Sequence, residues 1–236
     1  AGLRSFNMNM PEEINRCLTD RISAILFCPT PAAVKNLKNE AYPSQEIILS
    51  GDVMYDSSLM FKQMAKKPEG FKLPGKYALA TVHRAENTDD KEKLANIILG
   101  LNKVSGELPL VFPVHPRTRK LLSDPALPGL SGNIIVADPV GYLEIIYLLK
   151  NCSMLFTDSG GMQKEACFFK NPCITLREET EWTELLDAVY NKLAGSNQQL
   201  IYVAFKHFLE NQPEFNNQLY GDGKSAELIA EILSNK

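Results

Sequence analysis

The chain has 236 residues, 44% apolar and 22% charged, with a formal net charge of −3. That length holds one large domain or two modest ones, and the composition is ordinary for a globular protein. No long basic tract is present, which excludes a phosphate-dominated nucleic-acid footprint, and no apolar run approaches the ~20 residues that span a bilayer.

The opening Ala1-Gly2-Leu3-Arg4-Ser5-Phe6 has no initiator Met and no cap signal, and reads as the middle of a longer chain. Pro11 suits a first helical turn, so residues 12–23 are predicted helical. Glu12 and Glu13 fall where the helix dipole favours acids; a catalytic carboxylate is the alternative. A strand is predicted over 24–28, a helix over 32–40, a strand over 47–49 and a helix over 53–65. Two short parallel strands cannot bury both faces and both edges. Residues 1–67 are therefore expected to be the later part of a larger domain, prone to self-associate through its open edges unless they are covered. Residues 66–75 are rich in Pro, Gly and Lys; the linker is placed at 68–75 and the second domain at 76–236.

In that second part, apolar runs alternate with amphipathic ones. Strands are predicted over 77–82, 108–114, 134–137, 154–157 and 173–176, and helices over 91–104, 142–149 and 162–169. Residues 200–209 and 225–233 also read as helical. Near-continuous apolar strands separated by helices imply an α/β domain with a parallel sheet covered on both faces. Ligands in such sheets bind beyond the carboxyl ends of the strands.

The polar clusters fall at those ends. After the apolar run 153–156 comes Thr157-Asp158-Ser159-Gly160-Gly161-Met162-Gln163-Lys164-Glu165. A strand that ends in Ser-Gly-Gly and opens a helix turns unpaired N–H groups and a helix dipole toward an anion, most often a phosphate. Glu165, about one turn on, is placed to accept hydrogen bonds from ribose hydroxyls. A β–α turn without a ligand explains the same glycines. His83-Arg84 follows the strand over 77–82 and can hold a pyrophosphate, or His83 caps the next helix. His115, between Pro113-Val114 and Pro116, has the same position on the next strand, with turn packing as the alternative. His207, in the helical stretch, reads as a surface or packing residue. Arg177-Glu178-Glu179-Thr180-Glu181-Trp182 is either a sugar- or phosphate-binding loop or a solvated helix start. The five cysteines are odd in number, lack C-x-x-C spacing and mostly lie in apolar stretches. Reduced, buried thiols in a cytoplasmic protein are the expectation.

Taken in order, Ala1-Gly2-Leu3-Arg4, Met10-Pro11-Glu12-Glu13-Ile14-Asn15-Arg16, Gly51-Asp52-Val53, His83-Arg84-Ala85-Glu86-Asn87, Pro113-Val114-His115-Pro116, Thr157-Asp158-Ser159-Gly160-Gly161, Arg177-Glu178-Glu179-Thr180-Glu181 and Tyr220-Gly221-Asp222-Gly223 resemble the non-hydrolysing UDP-N-acetylglucosamine 2-epimerase family. The versions around His83 and His115 resemble the branch acting on UDP-2,3-diacetamido-2,3-dideoxyglucuronate.

The resemblance implies two Rossmann-like domains of the glycosyltransferase-B type, the first incomplete here, with the nucleotide sugar between them. The last helix would pack back toward the first domain. It implies Glu12 and His83 as catalytic residues. Arg84, Glu86, His115, Ser159, Gly160, Gly161, Glu165, Arg177 and Thr180 would bind substrate. The reaction removes the C2 proton, eliminates UDP to a glycal and adds UDP back after reprotonation on the other face. It uses no metal and no nicotinamide cofactor. A homodimer is implied for the full-length protein, with no nucleic acid and no membrane insertion. In the family a catalytic Glu directly precedes the Ala-Gly-Leu-Arg stretch, and a catalytic Asp and a phosphate-binding Arg lie further upstream. This chain by itself is therefore expected to bind UDP but not to turn over.

Overall fold

The computed structural model describes residues 1–42, 46–215 and 218–235. In chain order the elements are α1 (Pro11–Ile22), β1 (Ile25–Cys28), α2 (Pro31–Asn39), β2 (Glu46–Leu49), α3 (Val53–Lys62), β3 (Ala78–Thr81), α4 (Ala85–Thr88), α5 (Lys91–Ser105), β4 (Leu110–Pro113), α6 (Pro116–Leu122), β5 (Ile134–Ala137), α7 (Tyr142–Asn151), β6 (Met154–Thr157), α8 (Gly160–Phe168), β7 (Cys173–Thr175), α9 (Thr183–Asp187), β8 (Asn191–Leu193), α10 (Gln198–Glu210) and α11 (Ser225–Ser234). They form two compact units, Ala1–Met60 with Asn216–Lys236, and Phe61–Phe215.

In the first unit β1 and β2 pair in parallel, Ile25 to Glu46 through Cys28 to Leu49. A small core of Leu26, Cys28, Ala33, Leu37 and Tyr42 lies under α2. Apolar burial here is modest, and polar contacts carry much of the organisation. Buried Arg4 donates through Nη1 to Asp20 Oδ2 at 2.7 Å, and through Nε and Nη2 to the two oxygens of Glu40 at 2.7 and 2.9 Å. Burial opposes its charge, but the bonds to Glu40 and Asp20 outweigh burial and raise its pKa. Gly2 has φ +78°, and a Cβ there would run into the backbone of Ala33. Tyr220 accepts from the Asp52 N–H at 3.0 Å, and Asp56 Oδ2 accepts from the Ala226 N–H at 2.7 Å, so the residues before α11 and its first turn are bonded to the start of α3.

In the second unit all six strands run parallel in the order β5-β4-β3-β6-β7-β8. Counted within the unit this is 3-2-1-4-5-6, the doubly wound dinucleotide-binding order, with its topological switch between β3 and β6. Alternate residues feed opposite faces, as period two requires. Ala78, Ala80, Phe112, Met154, Phe156 and Ile174 join one core with Ile97, Ile98 and Leu101 of α5 and Ile201, Phe205 and Phe208 of α10. Tyr77, Leu79, Val111, Leu155 and Cys173 join the other with Leu148 and Leu149 of α7 and Ala166 of α8. The expected doubly covered parallel sheet is therefore present. Four elements lie outside the sequence reading: α4, α6, α9 and the edge strand β8.

All five cysteines are free thiols, with Cys28, Cys152 and Cys173 buried. Burial pushes the Cys152 and Cys167 thiols up to about 12, away from thiolate character. Among the described residues no helix is long and apolar enough to cross a membrane.

Candidate functional site

The switch point places the ends of β3 and β6 side by side, with Thr81 in register with Thr157 and their hydroxyls 2.7 Å apart. His83 and Arg84 leave one strand; Ser159, Gly160 and Gly161 leave the other. Ser159 is the N-cap of α8, its hydroxyl accepting from Met162 N–H at 3.5 Å. The predicted start at 162 moves back two residues, so Gly160 and Gly161 form the first turn. Their N–H groups have no acceptor within the helix. Gly160 also allows a close approach: a Cβ there would sit 2.6 Å from Glu181 Oε1.

The residue that joins the two strand ends is Asp158, fully buried. Its carboxylate accepts from His83 N–H at 3.0 Å, Arg84 N–H at 2.9 Å and Asn87 Nδ2 at 3.1 Å. Asn87 Nδ2 also donates to Leu176 O beyond β7, at 3.0 Å. His83 is not a helix cap: its Nδ1 lies 3.4 Å from Asp158 Oδ1 and its side chain is 42% exposed. Asp158 and Asn87 stand inside the motifs at 157–161 and 83–87, but an Asp or Asn at a strand end reads equally as turn chemistry.

His115 occupies the corresponding end of β4, its ring centroid 6.2 Å from that of His83. It caps α6, Nδ1 accepting from Arg117 N–H at 3.3 Å. Arg84 lies 3.6 Å from exposed Glu86, and Arg117 pairs with Asp89.

Glu165 is buried on α8 and accepts from the Tyr142 hydroxyl, at the start of α7, at 2.9 Å. Burial pushes its carboxyl up, against the Tyr142 hydrogen bond and the Lys164 charge. A buried carboxylate with one donor retains capacity for hydroxyl groups of a ligand. Being raised in the folded state, it carries stability that is lost as pH rises above the ordinary carboxylate range. Glu165→Gln is expected to raise the melting temperature at pH 7–8 by about 2–4 °C, with no gain near pH 4. Calorimetry at both pH values checks this.

Arg177 and Thr180 are turned inward. Arg177 Nη1 donates to Glu181 Oε2 at 2.9 Å in a pair whose side chains are 2% and 7% exposed; Nε is buried with no hydrogen-bond partner among the described residues. Thr180 donates to Gln163 Oε1 at 2.7 Å, which also accepts from Asn191 Nδ2 at 3.0 Å. The Arg177–Trp182 segment is thus no solvated helix start over its whole length: Glu178 and Glu179 are exposed, but Glu181 and Trp182 are buried, and Lys164 Nζ lies 4.3 Å over the Trp182 ring. Glu12 lies in the other unit, exposed in the first turn of α1. Its neighbour Glu13 is spent on structure, accepting from the N–H groups of Ser5 and Phe6 and pairing with Arg16 at 2.7 Å.

This geometry can be set beside known proteins. The family model described as UDP-N-acetylglucosamine 2-epimerase matches residues 1–234. A Pseudomonas aeruginosa UDP-2,3-diacetamido-2,3-dideoxy-D-glucuronate 2-epimerase is 48% identical over 237 residues, covering 99% of this chain and 66% of that protein. A Methanocaldococcus jannaschii UDP-N-acetylglucosamine 2-epimerase is 42% identical, covering 99% and 67%. The crystal structure of a Methanocaldococcus jannaschii UDP-GlcNAc 2-epimerase in complex with UDP-GlcNAc and UDP superposes with a TM-score of 0.86 at 40% identity, over 100% of this chain and 68% of that one. The Neisseria meningitidis enzyme bound to UDP-GlcNAc gives 0.85 at 30% identity, over 100% and 68%. The chain spans about two thirds of the length of these relatives. It belongs to the UDP-N-acetylglucosamine 2-epimerase family.

Proposed function

We propose that the protein to which these residues belong epimerises a UDP-N-acetylhexosamine at C2, interconverting UDP-GlcNAc and UDP-ManNAc. The observation that carries the reading is the convergence at one switch point of His83-Arg84 and the Ser159-Gly160-Gly161 helix start. The N–H groups of Gly160 and Gly161 and the α8 dipole would hold the diphosphate. His83 and Arg84 would add charge-assisted donors, and Glu165 would accept from the ribose. Arg177 and Thr180 would shape this pocket from behind, since their described bonds are internal. In the reaction a base removes the C2 proton and the C1–O bond breaks. UDP leaves with the electron pair, giving a glycal. UDP then adds to C1 as C2 gains a proton on the opposite face. Glu12 is the carboxylate in this chain assigned to the proton transfers.

A second reading is the same chemistry on UDP-2,3-diacetamido-2,3-dideoxyglucuronate, favoured by the 48% identity to the Pseudomonas enzyme. Either product fits a cytoplasmic homodimer supplying sugars for cell-surface polysaccharide. UDP is expected to bind the 236-residue chain with an affinity on the order of micromolar. Calorimetry showing no heat would count against the site. NMR of the full-length protein with each UDP-sugar in deuterium oxide should show exchange at C2 in one of them; exchange in neither ends the epimerase reading.

A further inference from the structure

Asp158 has no part in the chemistry above, yet four groups turn toward its buried carboxylate: the N–H groups of His83 and Arg84, the Asn87 amide and, at 3.4 Å, His83 Nδ1. A carboxylate with no exposure is costly unless donors satisfy it. Three of the four are neutral donors fixed by the backbone or by Asn87, whose second donor is held by Leu176 O. Of the four, the imidazole alone can take a positive charge. Its Nδ1 lies within ion-pair distance of the carboxylate, and 42% of the side chain is exposed to solvent or ligand.

We propose that Asp158 is the positioning residue of His83. It takes the Nδ1–H, so that Nε2 is the nitrogen offered to a phosphate oxygen. The inference rests on the nucleotide-site reading but adds a residue to it. It also accounts for the His and the Asp lying in two motifs more than seventy residues apart, since each strand end supplies half of the pair.

A double-mutant cycle on UDP affinity tests it, with His83→Gln, Asp158→Asn and the double variant measured by calorimetry. Loss of His83 is expected to weaken UDP about 10-fold in the parent and less than about 2-fold in the Asp158→Asn background. Equal losses in both backgrounds would overturn the coupling. Asp158→Asn removes acceptors from buried N–H groups and can fail to fold, so a second measurement uses the unaltered chain. Imidazole nitrogen NMR should find His83 Nδ1 protonated, with Nε2 the nitrogen whose signal UDP moves. A bare Nδ1, or a UDP response confined to Nδ1, refutes the assignment. Absence of any UDP binding would instead sink the nucleotide-site reading, leaving the protonation state of Nδ1 to decide this one.

Discussion

Gly160→Ala is expected to destabilise the second unit by about 2–4 kcal/mol and to weaken UDP binding about 100-fold. The sign runs against intuition. Exchanging Gly for Ala in a helix usually helps, by up to about 1 kcal/mol, through backbone entropy and propensity. Here the added methyl would sit 2.6 Å from Glu181 Oε1. Glu181 cannot simply swing away, because its other oxygen holds buried Arg177 at 2.9 Å. Moving it leaves a guanidinium buried without its partner, and that penalty exceeds the helix gain. The first turn of α8, where an anion would bind, would shift as well. Thermal melts and UDP calorimetry check both numbers. A gain in stability would mean that the Glu181 side chain yields cheaply and that the close approach has no structural weight.

The second large effect lies in the other unit. Arg4→Ala is expected to cost about 3–5 kcal/mol. Its side chain is 1% exposed and binds Asp20 and both oxygens of Glu40. Asp20, 7% exposed at its side chain, would lose this partner; among the described residues Gly2 N–H, at 2.9 Å, is its remaining donor. The apolar core of this unit is small, so the loss of that link falls heavily on it. Amide exchange over β1 and β2 should accelerate about 100-fold or more. Arg4→Lys should recover part of the loss, since an ammonium reaches one carboxylate but cannot fork across two groups. An Arg4→Ala change below about 1 kcal/mol would show the network to be incidental.

The sequence exposed the periodic parts of this molecule and hid the tertiary ones. Strands 78–81 and 154–157 announce themselves as apolar runs, and the glycine pair marks where α8 begins. The order of the strands is not a local property; it emerges only when both faces of the sheet are covered, so the adjacency of His83 and Ser159 could be expected only through family resemblance. Helix α6 was obscured because His115-Pro116 reads as a turn, although Pro at the first helical position and a side-chain acceptor before it are also a helix start. Strand β8 is three residues long and carries Asn and Lys, so no apolar run marks it. The burial of Glu181 was hidden for another reason. Five polar residues in a row, 177–181, predict a solvated face, and a single buried ion pair inside such a run leaves no mark on composition.

The bonds of Asp158 and Asn87 have a mechanical consequence. One carboxylate and one carboxamide fasten the tips of three neighbouring strands, so this rim of the sheet cannot adjust strand by strand when something docks on it. A change of residue at any one tip is therefore felt at the other two.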